Sequence, residues 1–111
     1  MKLRLEKETV RLRLSSDEIR KLKSEKTIDE TISISKENRF RYSIQIVNHH
    51  ETCSMDFRNN SLEIFIPHIL ADKWINSKQI AIKETIYTDN GGPIVLIIEE
   101  DLPPRKNKEK K

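Results

Sequence analysis

The sequence predicts a mainly β domain with two short helices: a small barrel built from two pseudo-symmetric strand–strand–helix–strand–strand repeats. Three observations predict it. Apolar and polar residues alternate at period two along most of the chain, as with Val10, Leu12 and Leu14 against Thr9, Arg11 and Arg13. That period breaks twice into helix-like stretches, after Ser15 and after Pro67. Finally, displaced by 52 positions, the chain lies over itself without a gap: Leu3, Leu5, Val10, Leu12 and Leu14 fall on Met55, Phe57, Leu62, Ile64 and Ile66, and Ile28, Tyr42, Ile44 and Ile46 on Ile80, Ile94, Leu96 and Ile98. A period of this length signals a duplicated unit. Residues 1–48 and 53–100 are read as the two copies, together forming one domain over residues 1–101.

The elements follow in order. Leu3 and Leu5 alternate with Lys2, Arg4 and Glu6 in a first strand, and Val10–Leu14 form the second. Ser15 with Glu18 three residues on fits a capping box, in which hydroxyl and carboxylate satisfy the free amides of a helix start. Ile19 and Leu22 give that helix one apolar stripe. Thr27–Ser35 is rich in β-branched residues and reads as strand; Phe40, Tyr42, Ile44 and Ile46 mark the fourth. In the second copy Arg58-Asn59-Asn60 turns the chain, and Leu62, Ile64 and Ile66 lead to Pro67, which suits a helix start because it has no amide hydrogen to leave unpaired. Trp74 and Ile75 should be among the most buried helix residues. Gln79–Thr88 and Ile94–Ile98 are strands, joined by an Asp89-Asn90-Gly91-Gly92 turn suited to positive φ. Residues 102–111 read as a disordered basic tail.

At 111 residues and 35% hydrophobic there is room for one core. No apolar run is long enough to cross a membrane, and the opening Met1-Lys2-Leu3-Arg4 is strand-like rather than a signal peptide. The single cysteine, Cys53, fits a reducing cytoplasm. The net charge of +3 is uneven: residues 1–48 carry +4 and residues 53–100 carry −3.

Several sites are candidates. The outward positions of the second copy are more apolar than those of the first: Phe65 stands where Arg13 does, Val95 for Ser43, Ile97 for Gln45 and Tyr87 for Ser35. A strand apolar on both faces, as residues 94–98 are, must be covered on both, by a helix of this chain or by another protein molecule. For the second case Phe65, Tyr87, Val95 and Ile97 are the candidate interface for a protein partner or a second copy. Arg4, Arg11, Arg13, Arg39 and Arg41 all point away from the core by alternation, and their planar forks suit phosphate, which makes nucleic acid the rival partner unless Glu6, Glu8, Glu30 and Glu37 neutralise them by cross-strand pairing. Aromatic residues are not interleaved among them, so no stacking platform for single strands is expected.

His49-His50-Glu51-Thr52-Cys53 has ligand types but no second pair to complete a zinc tetrahedron, and reads as a solvated linker. His68 reads as a capping or surface residue. With two adjacent glycines there is no phosphate loop, and no nucleophile, base and oxyanion hole come together. Neither enzymatic activity nor a catalytic residue, metal, cofactor or small-molecule ligand is expected.

Two resemblances extend this reading. Lys2-Leu3-Arg4-Leu5, Val10-Arg11-Leu12-Arg13-Leu14-Ser15 with Glu18-Ile19, Phe65-Ile66-Pro67 with Ala71 and Trp74, and Glu99-Glu100-Asp101 resemble an uncharacterised family of small bacterial proteins, which implies no activity. Members tend to carry glycine where Glu25 stands here. Ile64-x-Ile66-Pro67-x-x-Leu70, followed by a helix and a hairpin, is similar to the swapped-hairpin barrels of AbrB- and MazE-type transcription regulators. That resemblance implies a barrel and DNA binding. Ala71-Asp72 stands where those regulators place arginines.

Overall fold

The computed structural model describes residues 1–48, 51–77, 79, 81–88 and 91–101. The elements are β1 (Lys2–Glu6), β2 (Thr9–Leu14), α1 (Ser16–Glu25), β3 (Thr27–Ser33), β4 (Arg39–Val47), β5 (Ser54–Arg58), β6 (Ser61–Pro67), α2 (His68–Asn76), β7 (Ala81–Tyr87) and β8 (Pro93–Glu100). They form two four-stranded sheets, β1-β2-β8-β7 and β3-β4-β6-β5. The expected mainly β class holds, but the barrel does not close. Strands β1, β7, β3 and β5 are sheet edges, and two sheets share one core of Leu12, Leu14, Leu22, Ile44, Ile64, Ile66, Leu96 and Ile98 with their neighbours.

Each sheet takes one hairpin from either half of the chain, joined through a central parallel pair, β2 with β8 and β4 with β6. Exchanging every strand for the one four places on converts one strand order into the other. The 52-residue displacement, however, holds only for the first hairpin of each half, where Leu3↔Leu12 answers to Met55↔Ile64. For the second hairpin the matching pairs are Ile28↔Ile44 and Ile82↔Ile98, a displacement of 54. The two added residues lie between α2 and β7. An even slip keeps every apolar side chain on its face, so alternation alone does not reveal it. Structurally, Arg41 therefore corresponds to Val95 and Ser43 to Ile97.

Local chemistry explains the punctuation. The capping box at Ser15 forms as expected, with Glu18 N–H donating to Ser15 Oγ and Ser15 N–H to the Glu18 carboxylate. Helix α1 ends on Lys26 in the left-handed region at φ 67°, where its N–H donates to Leu22 O. A residue with a Cβ pays about 1 kcal/mol there, so Lys26→Gly should raise stability by roughly 0.5–1 kcal/mol in a denaturant titration. The Asn59-Asn60 turn uses positive φ at both residues, as a two-residue hairpin needs. Gly91 and Gly92 do not adopt positive φ; Asp89 and Asn90, like the 102–111 tail and the His49-His50 pair, lie outside the described residues.

The helices close one end of the sandwich. Helix α1 packs on β2, β3 and β4, and α2 on β4, β6 and β7. Leu22, Ala71 and Trp74 reach the core, whereas Ile75 is only half-buried. Cys53 is no part of a solvated linker. It is buried immediately before β5, so the chain is already in the core when that strand begins. Burial pushes its thiol up to about 12, with the negative charge of Glu84 adding to the shift. A thiol held protonated in this way is a poor nucleophile.

A polar cluster ties the first residue to β3. The Met1 ammonium pairs with the Glu18 carboxylate and, at 2.8 Å, with that of Glu30, while Tyr42 Oη donates to Met1 O at 2.8 Å. Burial, then the negative charges of Glu30 and Glu18, raises the Tyr42 phenol above its ordinary range and keeps it a donor.

Candidate functional site

The end of the sandwich opposite the helices is open. Here lie the β1–β2 turn at Lys7-Glu8, the β5–β6 turn at Asn59-Asn60 and the β3–β4 and β7–β8 connections. Among the described residues no helix follows these strand ends or caps them. Between the sheets is a cleft of about 580 Å³, lined mainly by Leu5, Val10, Phe40, Met55, Phe57, Leu62, Ile86, Tyr87 and Ile94, with Ser54, Asp56 and Thr88 supplying polar groups. The volume and the apolar lining with few polar groups are those of binding pockets in general. Phe40 anchors an aromatic row, its ring 6.0 Å from that of Tyr42 and 6.3 Å from that of Phe57.

The exposed apolar surface collects at the same end. Leu5 (59% exposed), Ile32, Ile34, Phe57 (60%) and Tyr87 (78%) all belong to it, while Ile69 on α2 lies apart. Alternation alone places Leu5 and Phe57 in the core. They point inward by parity, but the core does not extend as far as the turns they precede. The signal for this in the sequence is the placement of both helices after second strands, which leaves the hairpin turns uncapped.

Of the expected interface, only part comes together. Val95 and Ile97 are half-buried neighbours on the outer face of the β1-β2-β8-β7 sheet, flanked in register by Thr9 and Thr85 and by Arg11 and Lys83. Arg4, Glu6, Thr9, Arg11 and Lys83 ring them around a depression of about 280 Å³. Polar side chains with long aliphatic stems thus surround this apolar strip on its own sheet. Phe65 sits on the outer face of the other sheet, between Gln45 and Ser54 in register. Tyr87 stands at the mouth of the cleft. The four residues do not form one patch, because hairpin exchange puts β6 and β8 in different sheets.

The arginines divide likewise. Arg4, Arg11 and Arg13 share the outer face of one sheet, whereas Arg39 and Arg41 belong to the other. Most are ion-paired. Arg13 Nε donates to Glu99 at 2.6 Å, Arg4 approaches Glu6 at 3.4 Å, and Arg41 Nε donates to Asp29 at 3.0 Å with Glu63 at 3.9 Å. Arg11 lies 3.8 Å from Glu99, but its buried Nε makes no hydrogen bond. His68 stands 3.9 Å from Asp72 on the first turn of α2. Among the described residues no cluster of three His, Cys, Asp or Glu side chains converges as a metal site, and no helix is long and apolar enough to cross a membrane.

Comparison with known proteins adds one finding. The model of a family of unknown function, DUF7009, matches residues 1–110. The chain belongs to that family. No curated protein matches the chain, and no solved structure does either. In this DUF7009 member the matched span takes in both sheets, both helices and the cleft.

Proposed function

We propose that this DUF7009 member is a non-enzymatic binding module of the cell interior, and that its partner, another protein, seats apolar side chains in the open-end cleft. One observation carries this: the apolar cleft and most of the exposed large apolar residues lie together at the single end that no helix covers. Exposed apolar surface gathered in this way marks an interaction site rather than scattered surface. Burying the rim of Leu5, Phe57 and Tyr87 removes a few hundred Å² of apolar surface, about 25 cal/mol per Å² before association costs.

The exchanged hairpins and the matching strand orders support descent from a duplicated strand–strand–helix–strand–strand unit, related in plan to the AbrB- and MazE-type swapped-hairpin proteins. The DNA-binding alternative draws on Arg4, Arg11 and Arg13 lying on one face. Glu6 and Glu99 beside them offset much of that charge, so protein docking is the better-supported reading.

Affinity capture from the native cell, with a nuclease-treated parallel sample, separates these readings. A partner retained by Val95→Lys/Ile97→Lys and lost with Phe57→Lys/Tyr87→Lys supports docking at the cleft. A partner indifferent to Phe57→Lys/Tyr87→Lys removes the cleft from consideration. Retention that vanishes with nuclease and falls steeply with salt, as counterion release requires, favours the DNA-binding alternative. Concentration-dependent light scattering that disappears in Phe57→Lys/Tyr87→Lys makes the partner a second copy.

A further inference from the structure

We propose that Glu84 is the cation-binding anchor of the cleft and receives the ammonium of a lysine carried by the partner's extended segment; this rests on the cleft being the docking site. Glu84 lies on β7 at the same parity as Ile82, which is buried, and Ile86, which lines the cleft. Its side chain belongs to the inner face of the sheet, in register with fully buried Leu96. It is half-buried, yet among the described residues it makes no hydrogen bond or ion pair. A carboxylate without a partner offers an incoming cation a charge-assisted hydrogen bond.

The first half of the chain shows what a carboxylate at this position does. By strand register Glu84 corresponds to Glu30, whose carboxylate holds the Met1 primary ammonium at 2.8 Å. In the second half the place of Met1 is taken by Cys53 within the chain, that of Glu18 by Leu70 and that of Tyr42 by Leu96. The carboxylate remains while its cation and the accompanying polar groups are gone. No group among the described residues takes their place, and the cleft opens one pleat away at Ile86.

The partner's form follows from the walls. Strands β5 and β7 are both sheet edges, each paired on one side only among the described residues, and both line the cleft. An extended segment satisfies free edge amides and carbonyls as an added strand. Successive inner positions on a strand are about 6.5–7 Å apart, and the four-carbon stem of lysine spans such a gap with a compact ammonium at its tip.

Titration of the full chain with n-octylamine, protonated at neutral pH, and with n-octanol tests this by amide chemical shifts. Both should perturb Phe57, Ile86 and Tyr87, and the amine should bind about tenfold more tightly, the worth of one charged hydrogen bond. Glu84→Gln should abolish the preference and leave octanol affinity unchanged, which also shows that the variant is folded. Equal binding of amine and alcohol, or a preference that survives Glu84→Gln, overturns the anchor and leaves the cleft standing. Failure of both compounds to perturb the cleft overturns the cleft itself and the anchor with it.

Discussion

Trp74→Ala should cost the fold about 3–5 kcal/mol, the range for removing a large aromatic from a core that collapses only partly. Trp74 is 3% exposed, and with the fully buried Ala71 it is how α2 enters the core. Its helix bridges both sheets, touching β6 and β4 of one and β7 of the other. The cavity would therefore open where the two sheets are held together. Domains of this size are stable by roughly 5–15 kcal/mol, so the thermal midpoint should fall by roughly 15–25 °C. Ile69→Ala on the same helix is the control. That residue is 58% exposed, and its loss should stay within about 0.5 kcal/mol. A denaturant titration in which Trp74→Ala loses less than about 1 kcal/mol would place the indole outside the core.

Acetylating the Met1 amino group should cost about 2 kcal/mol near neutral pH, the worth of hydrogen bonds to charged groups. It removes the ammonium and leaves the carboxylates of Glu18 and Glu30 facing each other's charge. Glu30 is 39% exposed, so water screens its share and the loss rests mainly on Glu18. The pH dependence follows from both partners. Burial pulls the Met1 amine down, but its bonds to Glu18 and Glu30 outweigh that and hold it above its ordinary 8.0. Its stabilisation is complete below pH 8 and fades as the pH rises through the raised value. Burial pushes Glu18 up, yet the Met1 ammonium and the Ser15 amide bring it below its ordinary 4.5. That contribution is present above pH 4.5 and is lost as the pH falls through the lowered value. Unmodified protein should thus be most stable between about pH 5 and 8, and the difference from the acetylated form should shrink at both ends. Equal stability of the two forms at pH 7 would mean that the cluster contributes nothing.

Much of the fold is legible in the sequence because its signals are local. Alternation assigns the inner faces of β2, β4, β6 and β8, and Ser15 with Glu18 fixes the start of α1. What escapes is relational. The slip from 52 to 54 is even, so Ile28 finds an isoleucine partner in either register. Closure is equally hidden, because β1 and β3 read the same whether hydrogen-bonded to each other or linked by the Met1 ammonium. The site was the least visible part. Leu5 and Phe57 carry the pattern of core residues, and only the placement of both helices at one end reveals that they border a cleft. Phe65 and Val95 carry the pattern of a shared outer face, yet exchange of hairpins sends them to different sheets. Glu84 gives no local sign at all; its meaning depends on Glu30, over fifty residues away.

The strand order also governs assembly in time. Every strand of the β3-β4-β6-β5 sheet has been synthesised once Pro67 is made, whereas β2 gains its central neighbour only when β8, ending at Glu100, emerges. During translation the β1–β2 hairpin therefore waits, its Leu12 and Leu14 face unpaired, from Leu14 until β8 is made. Contacts this distant in sequence make for slow folding and prolonged exposure of apolar strand. A nascent chain of this protein thus depends on β8 to bury the β1–β2 hairpin, and a ribosome stalled before Glu100 leaves that hairpin open to the wrong partners.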